Sequence, residues 1–167
     1  MGNRPREILT GVERTLPVDG FRLAYERIGD GPAVVLLHGW PGDRSDYRDV
    51  VALLSSAMDV VVPDLRGFGE SDKHRSDPAS SYSAAAQARS VVGLIEELGL
   101  DHPVIGGYDI GSWIAQTLAR SRPDLVRALV VSPPLPGART ETIDADGNVT
   151  SFSLQGRVVV DTCASLS

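Results

Sequence analysis

The segment best suited to covalent chemistry is Gly107-Tyr108-Asp109-Ile110-Gly111, an aspartate set between two glycines. Apolar Val104–Tyr108 leads into it, and Ile110, Ile114 and Leu118 behind it share one helical face. Small residues two positions either side of a nucleophile permit a sharp strand-to-helix turn that lifts its side chain out of a sheet. A carboxylate placed there sits at a helix N-terminus, which favours the anion and offers free backbone N–H groups. The bland reading is a helix cap, a task that aspartate performs well. Two further segments bear on the choice. His38-Gly39-Trp40-Pro41 follows the apolar run Ala33–Leu37, and a tight loop there aims the Trp40 N–H at the same space. With the N–H of Ile110 it would form a two-donor oxyanion hole. His38 itself reads as a brace for its loop and not as a general base. The run from Asp64 to Asp72, Asp64-Leu65-Arg66-Gly67-Phe68-Gly69-Glu70-Ser71-Asp72, would shape the floor of the site, with Asp64 and Arg66 in structural roles.

An aspartate at such a turn narrows the reaction. Serine attacking an alkyl carbon would leave an ether that water does not readily break. A carboxylate gives an ester, which activated water opens at the carbonyl. Asp109 therefore fits the opening of an epoxide or the displacement of a halide. Ser112 lies inside the helix and not at the turn, so a serine esterase is a poor reading.

The elements that must position these residues are legible as alternating strands and helices. Val12–Val18 and Phe21–Ile28 read as strands around a turn at Asp19-Gly20. Ala33–Leu37 reads as a strand buried on both faces. A helix is expected over Ser45–Ser56, with Tyr47, Val50, Val51 and Leu54 on its apolar face. Val60–Val62 is the next strand, ended by Pro63, and a loop runs from Asp64 to about Ser81. Ser83 caps a helix whose stripe is Ala84, Ala88, Val91, Val92, Ile95 and Leu98. Strand Val104–Tyr108, helix Ile110–Ser121 and strand Ala128–Ser132 follow. This alternation implies an α/β fold with parallel strands and right-handed crossovers.

Beyond Leu135 the texture turns rich in Gly, Thr, Ser and Asp. Thr140–Ile143 and Val149–Leu154 could flank a turn at Asp146-Gly147 as a small hairpin. Asp144, Asp146 and Asn148 do not complete a calcium loop, because Gln155 stands at the twelfth position and Gly147 comes one residue early. No metal is expected. Ala128–Val131, apolar on both faces, becomes an exposed edge open to self-association unless the tail covers it. Val158–Val160 is the one tail segment with the character to do so.

Composition bounds the function classes. The 167 residues include 16 Lys+Arg and 22 Asp+Glu, a net charge of −6, with 42 % hydrophobic residues. An acidic chain without a basic stripe argues against nucleic acid or an anionic membrane as partner. Cys163 is a lone cysteine, so no internal disulfide forms. Residues 1–10 carry no apolar signal region and no run approaches the ~18 residues of a membrane helix. The expectation is a cytoplasmic protein without a cofactor.

In combination and order, the HGWP loop, the DLRGFGESD turn, the GYDIG elbow and the run ending in Ala128–Pro134 resemble the N-terminal part of an α/β-hydrolase, most closely an epoxide hydrolase. The resemblance covers about Gly11 to Pro136. It implies a mostly parallel sheet flanked by helices, over residues 1–136, with residues 137–167 an atypical tail. It also implies Asp109 as nucleophile, Trp40 and Ile110 as backbone donors of the oxyanion hole, and a small apolar epoxide as substrate. His38, Gly39, Pro41, Gly107, Gly111, Asp64 and Arg66 fall on motif positions. Dehalogenases of this fold usually place Trp or Arg after the nucleophile, whereas Ile110 has no side-chain donor to hold a halide. Many epoxide hydrolases also carry Trp there, so Ile110 departs from both. Haloalkane dehalogenase chemistry is the alternative. The family further implies a helical lid with proton-donating tyrosines, then a relay acid and a catalytic histidine. This chain has no tyrosine after Tyr108 and no histidine after His102. The reading is of an incomplete hydrolase, inactive alone, complemented by a second chain, or degenerate into a binding module.

Overall fold

The computed structural model describes residues 11–132 in full and, beyond them, the backbone of three strands. In chain order the elements are β1 (Glu13–Arg14), β2 (Ala24–Ile28), β3 (Ala33–Leu37), a 3-10 turn (Arg44–Tyr47), α1 (Arg48–Leu54) and β4 (Asp59–Pro63). Then come α2 (Pro78–Ser81), α3 (Ala84–Glu97), β5 (Val104–Gly107), α4 (Ile110–Ser121), a 3-10 turn (Pro123–Leu125) and β6 (Ala128–Val131). The outlying strands are β7 (Thr140–Ile143), β8 (Val149–Ser153) and β9 (Val159–Thr162).

One sheet runs β1-β2-β4-β3-β5-β6-β9. Its centre, β4-β3-β5-β6, is parallel, while β1, β2 and β9 pair antiparallel at the flanks. Parallel neighbours need crossovers, and α1 and α3 to α4 supply them on opposite faces. Alternation along the strands divides the core accordingly. Val35 and Leu37 of β3, Val61 of β4, Ile105 of β5 and Leu129 and Val131 of β6 pack against Val91, Leu94 and Ile95 of α3 and Ile114 and Leu118 of α4. Val34, Leu36, Val60 and Val62 face the other way, toward Val51 and Leu54 of α1.

Several expected elements are shorter than the apolar pattern suggests. The first two strands shrink to β1 and β2, because Asp19 and Gly20 take positive φ (52° and 83°) in a tight turn closed by the Val18–Phe21 bridge. In place of one helix over Ser45–Ser56, a 3-10 turn begins under the Asp43 side chain, which accepts from the Ser45 N–H, and α1 follows. Val50, assigned to its apolar face, is exposed. The loop from Asp64 contains α2, started by Asp77 and Pro78. The tail segment expected to be able to cover Ala128–Val131 does so: β9 pairs along the whole of β6. The hairpin strands β7 and β8 pair antiparallel. Asp144, Asp146, Gly147 and Asn148 at its turn lie outside the described residues, as do Gln155 and Cys163. Among the described residues, no helix is long and apolar enough to cross a membrane.

A fully buried guanidinium ties the floor of the sheet's carboxyl end together. Arg66 donates to Ser90 Oγ (2.7 Å), the Ser81 carbonyl (3.2 Å), the Val18 carbonyl (3.2 Å) and Asp19 Oδ2 (3.0 Å), and lies over the Phe21 ring. Its backbone exchanges hydrogen bonds with the Gln87 side chain. Gln87 and Ser90 are thus buried on α3 for the sake of Arg66. Hydrogen bonds from Arg66 and then Arg89 hold the Asp19 carboxyl below the usual carboxylate range. A carboxylate with a depressed folded pKa stabilises the fold above its unfolded pKa of about 4, and that contribution is lost as pH falls through the folded value. Asp19→Asn is expected to lower stability at pH 7 by only about 1 kcal/mol, since Asp19 is partly exposed and screened. The gap from wild type should close as the pH drops below about 4. Urea melts at both pH values check this, and equal midpoints at pH 7 would refute it.

Candidate active site

Strand β5 ends at Gly107 and α4 begins at Ile110, leaving Tyr108 and Asp109 to make the turn. Asp109 carries it with φ 50° and ψ −125°. A positive φ at a non-glycine residue of this kind costs roughly 1–3 kcal/mol and is kept where surrounding structure enforces it. The two flanking glycines serve another purpose, because neither has a positive φ. A Cβ on Gly107 would lie 2.6 Å from the Gly111 carbonyl, and one on Gly111 would lie 2.1 Å from the Leu37 oxygen and 2.7 Å from the His38 oxygen. They let the first turn of α4 press directly onto the end of β3.

That contact brings the loop after β3 to the aspartate. The Trp40 N–H donates to Asp109 Oδ2 at 2.8 Å. Ile110, first residue of α4, has an N–H with no acceptor inside the helix. Trp40 and Pro41 are joined by a cis peptide bond, and the Trp40 side chain is 69 % exposed. Gly39 makes room for its neighbours: a Cβ there would come within 2.4 Å of the Tyr108 ring and 2.9 Å of Asp109 Cβ.

His38 is fully buried and braces this loop. Its Nδ1 faces the Gly39 oxygen (2.8 Å) and its Nε2 receives the Leu65 N–H (3.0 Å). The hydrogen-bond pattern assigns the Nδ1–H tautomer with both nitrogens engaged. Asp64, also buried, accepts from the backbone N–H groups of Arg44 and Glu70, each at 2.8 Å, and pairs with the Arg44 guanidinium. Asp64 and Arg66 thus support the loops, and neither bonds to Asp109.

The other histidines are engaged elsewhere. His74 faces the Gly20 carbonyl (3.0 Å) and packs against Phe21. His102 pairs with Asp101 ahead of β5, at the opposite end of that strand from Asp109. Tyr108 donates to Asp46 Oδ2 at 2.5 Å, a pairing the sequence did not reveal because the partners are far apart in the chain. Burial and that bond raise the Tyr108 pKa, which makes it a weaker proton donor. On the Ile110 side of the turn, a cleft of about 570 Å³ opens between α3 and α4, walled by Phe68, Tyr82, Ala84, Ile110, Trp113 and Ile114. Asp109 does not itself line it.

The packing at Gly111 yields a direct test. Gly111→Ala forces a methyl into two backbone carbonyls, which cannot retreat without breaking β3, and should cost about 3 kcal/mol. Gly11→Ala meets nothing within 4 Å and should be near neutral. Denaturant midpoints compare the two, and a Gly111→Ala protein as stable as Gly11→Ala would refute the contact.

A sequence model described as alpha/beta hydrolase fold matches residues 32–152. Among curated relatives, a soluble epoxide hydrolase of Corynebacterium sp. (strain C12) is 35 % identical over 120 residues, covering 72 % of this chain and 41 % of the relative. A haloalkane dehalogenase of Bradyrhizobium diazoefficiens is 36 % identical over 118 residues, or 70 % of this chain and 37 % of that protein. The crystal structure of an epoxide hydrolase from Vigna radiata superposes with a TM-score of 0.67 at 31 % identity, covering 76 % of this chain and 42 % of the other. The chain therefore spans about two fifths of the length of these proteins. The chain belongs to the alpha/beta hydrolase fold family.

Proposed function

We propose that Asp109 is a nucleophile for alkyl carbon and that its substrate is a small apolar epoxide. The observation that carries this reading is the state of its carboxylate. One oxygen, Oδ2, is held by the Trp40 N–H at 2.8 Å, while Oδ1 has no hydrogen-bond partner among the described residues. Oδ1 bonds to a ring carbon, the carbon–oxygen bond of the ring breaks, and its electron pair leaves on the ring oxygen, which takes a proton from water. Oδ2 is then the carbonyl oxygen of the new ester. When water adds to that carbonyl and gives up a proton, negative charge grows on Oδ2, facing the N–H groups of Trp40 and Ile110. Collapse expels the diol oxygen, which is protonated, and restores the carboxylate.

Epoxide is favoured over halide by Ile110, whose side chain offers no donor to a departing halide. The epoxide hydrolases among the relatives support the same choice, and the aliphatic and aromatic wall beside Ile110 suits an apolar substrate body. The second half-reaction needs a positioned base, an aid of roughly 10²–10⁴ in rate. All three histidines are committed elsewhere, so the ester is expected to accumulate.

Incubation with styrene oxide should add one reagent mass to the peptide containing Asp109, with little diol released. Asp109→Asn and Asp109→Ala should abolish the adduct. Labelling that persists in both would remove Asp109 as nucleophile, and reversible styrene oxide binding without any adduct would favour a non-catalytic binding module. Sustained diol release that depends on Asp109 would reveal a base other than the histidines. Trp40→Phe should label at nearly the wild-type rate, because the backbone N–H does the work. Gly39→Val, which drives a branched side chain into the Tyr108 ring and Asp109 Cβ, should displace the attacking carboxylate and slow labelling by roughly 10²-fold.

A further inference from the structure

The two donors of the proposed oxyanion hole belong to different segments, Trp40 to the loop after β3 and Ile110 to the start of α4. Their separation is therefore a tertiary quantity. The loop is anchored toward β3 and β4 by the His38 ring, by the Tyr47 hydroxyl donating to the Leu37 oxygen (2.9 Å) and by the Arg44 N–H on Asp64. Two side-chain hydrogen bonds run instead between the loop region and the elbow, and the Gly39 backbone also bonds to the Tyr108 hydroxyl. One, from the Trp40 N–H to Asp109, belongs to the chemistry itself. The other runs from the Tyr108 hydroxyl to Asp46.

We infer that the Asp46–Tyr108 bond is the strut that sets the gap between the Trp40 N–H and the Asp109 carboxylate, which makes Asp46 and Tyr108 positioning residues for the hole. The significance of that gap rests on the proposed role of Asp109. Three observations carry the inference. Tyr108 directly precedes Asp109, so a displacement of one passes through a single peptide to the other. At 2.5 Å the bond has the length of a charge-assisted O–H···O contact, stronger than a neutral one. The loop's glycines are cut to fit this pair. A Cβ on Gly39 would strike the Tyr108 ring, and one on Gly42 would overlap the Asp46 carboxylate and approach the Tyr108 oxygen at 3.1 Å. Neither glycine has a positive φ, so the room they leave, and not their flexibility, is what the loop uses. Tyr47, edge-on to Tyr108 with ring centroids 5.9 Å apart, closes the other side.

The test uses two readouts on the 167-residue chain. Amide exchange at Trp40, followed by NMR, reports its bond to Asp109 whether or not Asp109 reacts. The maximal rate of styrene oxide labelling reports the geometry of the reacting group. Tyr108→Phe keeps the ring and removes only the hydroxyl, and Asp46→Ala removes the acceptor. Each should speed Trp40 exchange at least about fivefold and slow maximal labelling about tenfold, with the half-saturating epoxide concentration unchanged. The double variant should be no worse than the poorer single one. Asp46→Asn retains a carbonyl acceptor and should recover both readouts to within about twofold. Wild-type exchange at Trp40 in Tyr108→Phe and Asp46→Ala would overturn the inference. So would additive losses in the double variant, or an Asp46→Asn protein as impaired as Asp46→Ala. If the wild type takes up no epoxide at Asp109, the nucleophile reading fails, and Trp40 exchange alone decides the strut.

Discussion

The close approach of α4 to the end of β3 governs the molecule. A helix can begin against two backbone carbonyls only if the residue facing them has no side chain, and Gly111 meets that condition with its Cα against Leu37 and His38. Gly107 meets it from the other side, where β5 passes under the same turn. With α4 pinned this near, the chain has two residues in which to leave the sheet and enter the helix, and the positive φ falls on Asp109. The positive φ of Asp109 and the proximity of the Trp40 N–H to its carboxylate are both consequences of one packing contact. Loosening it would dissolve both together.

Two buried charges hold the surrounding loops in place. Desolvating a guanidinium or a carboxylate is expensive unless hydrogen bonds and an opposite charge replace water. Arg66 meets this through Ser90, two backbone carbonyls and Asp19, and Asp64 through Arg44 and two backbone N–H groups. Each network joins segments distant in sequence. Arg66 connects the first turn, α2 and α3, and Asp64 connects the loop after β3 to the turn after β4. Between them sits the His38 ring, which spans Gly39 and Leu65. These groups fix the platform beneath the elbow that carries Asp109.

The arrangement divides the chemistry unevenly. The Asp109 carboxylate and the Trp40 N–H that holds one of its oxygens meet where the ends of β3 and β5 and the start of α4 come together. Tyr108, adjacent to Asp109, is engaged in its bond with Asp46, and burial with that bond raises its pKa, which suits a strut and not an acid. In the proposed reaction, formation and hydrolysis of the ester make separate demands on the fold.

How much of this was legible in the sequence follows from the range of the forces involved. Hydrophobic periodicity is local, so the α/β alternation, β3 at Ala33–Leu37 and α4 at Ile110–Ser121 were readable residue by residue, as were the elbow and the Asp19-Gly20 turn. The structural reading of His38, Asp64 and Arg66 also came from motif position. Strand lengths near the first turn were overread, because Val12 and Leu16 stay exposed and the ladder of β1 ends at Arg14, so the apolar pattern there marks no buried strand face. Gln87 and Ser90 were missed because a polar residue on a buried helix face makes sense only once Arg66 is seen opposite it. The same holds for Asp46 and Tyr108, which need two segments far apart in the chain to meet. The cover on β6 was legible in part, since Val158–Val160 was the tail segment named for it and β9 takes that place. Residue types by themselves determined that a carboxylate stands where a nucleophile could stand. Only tertiary packing decided which of its oxygens is held and what holds the gap, because those are distances between segments that the chain brings together by folding.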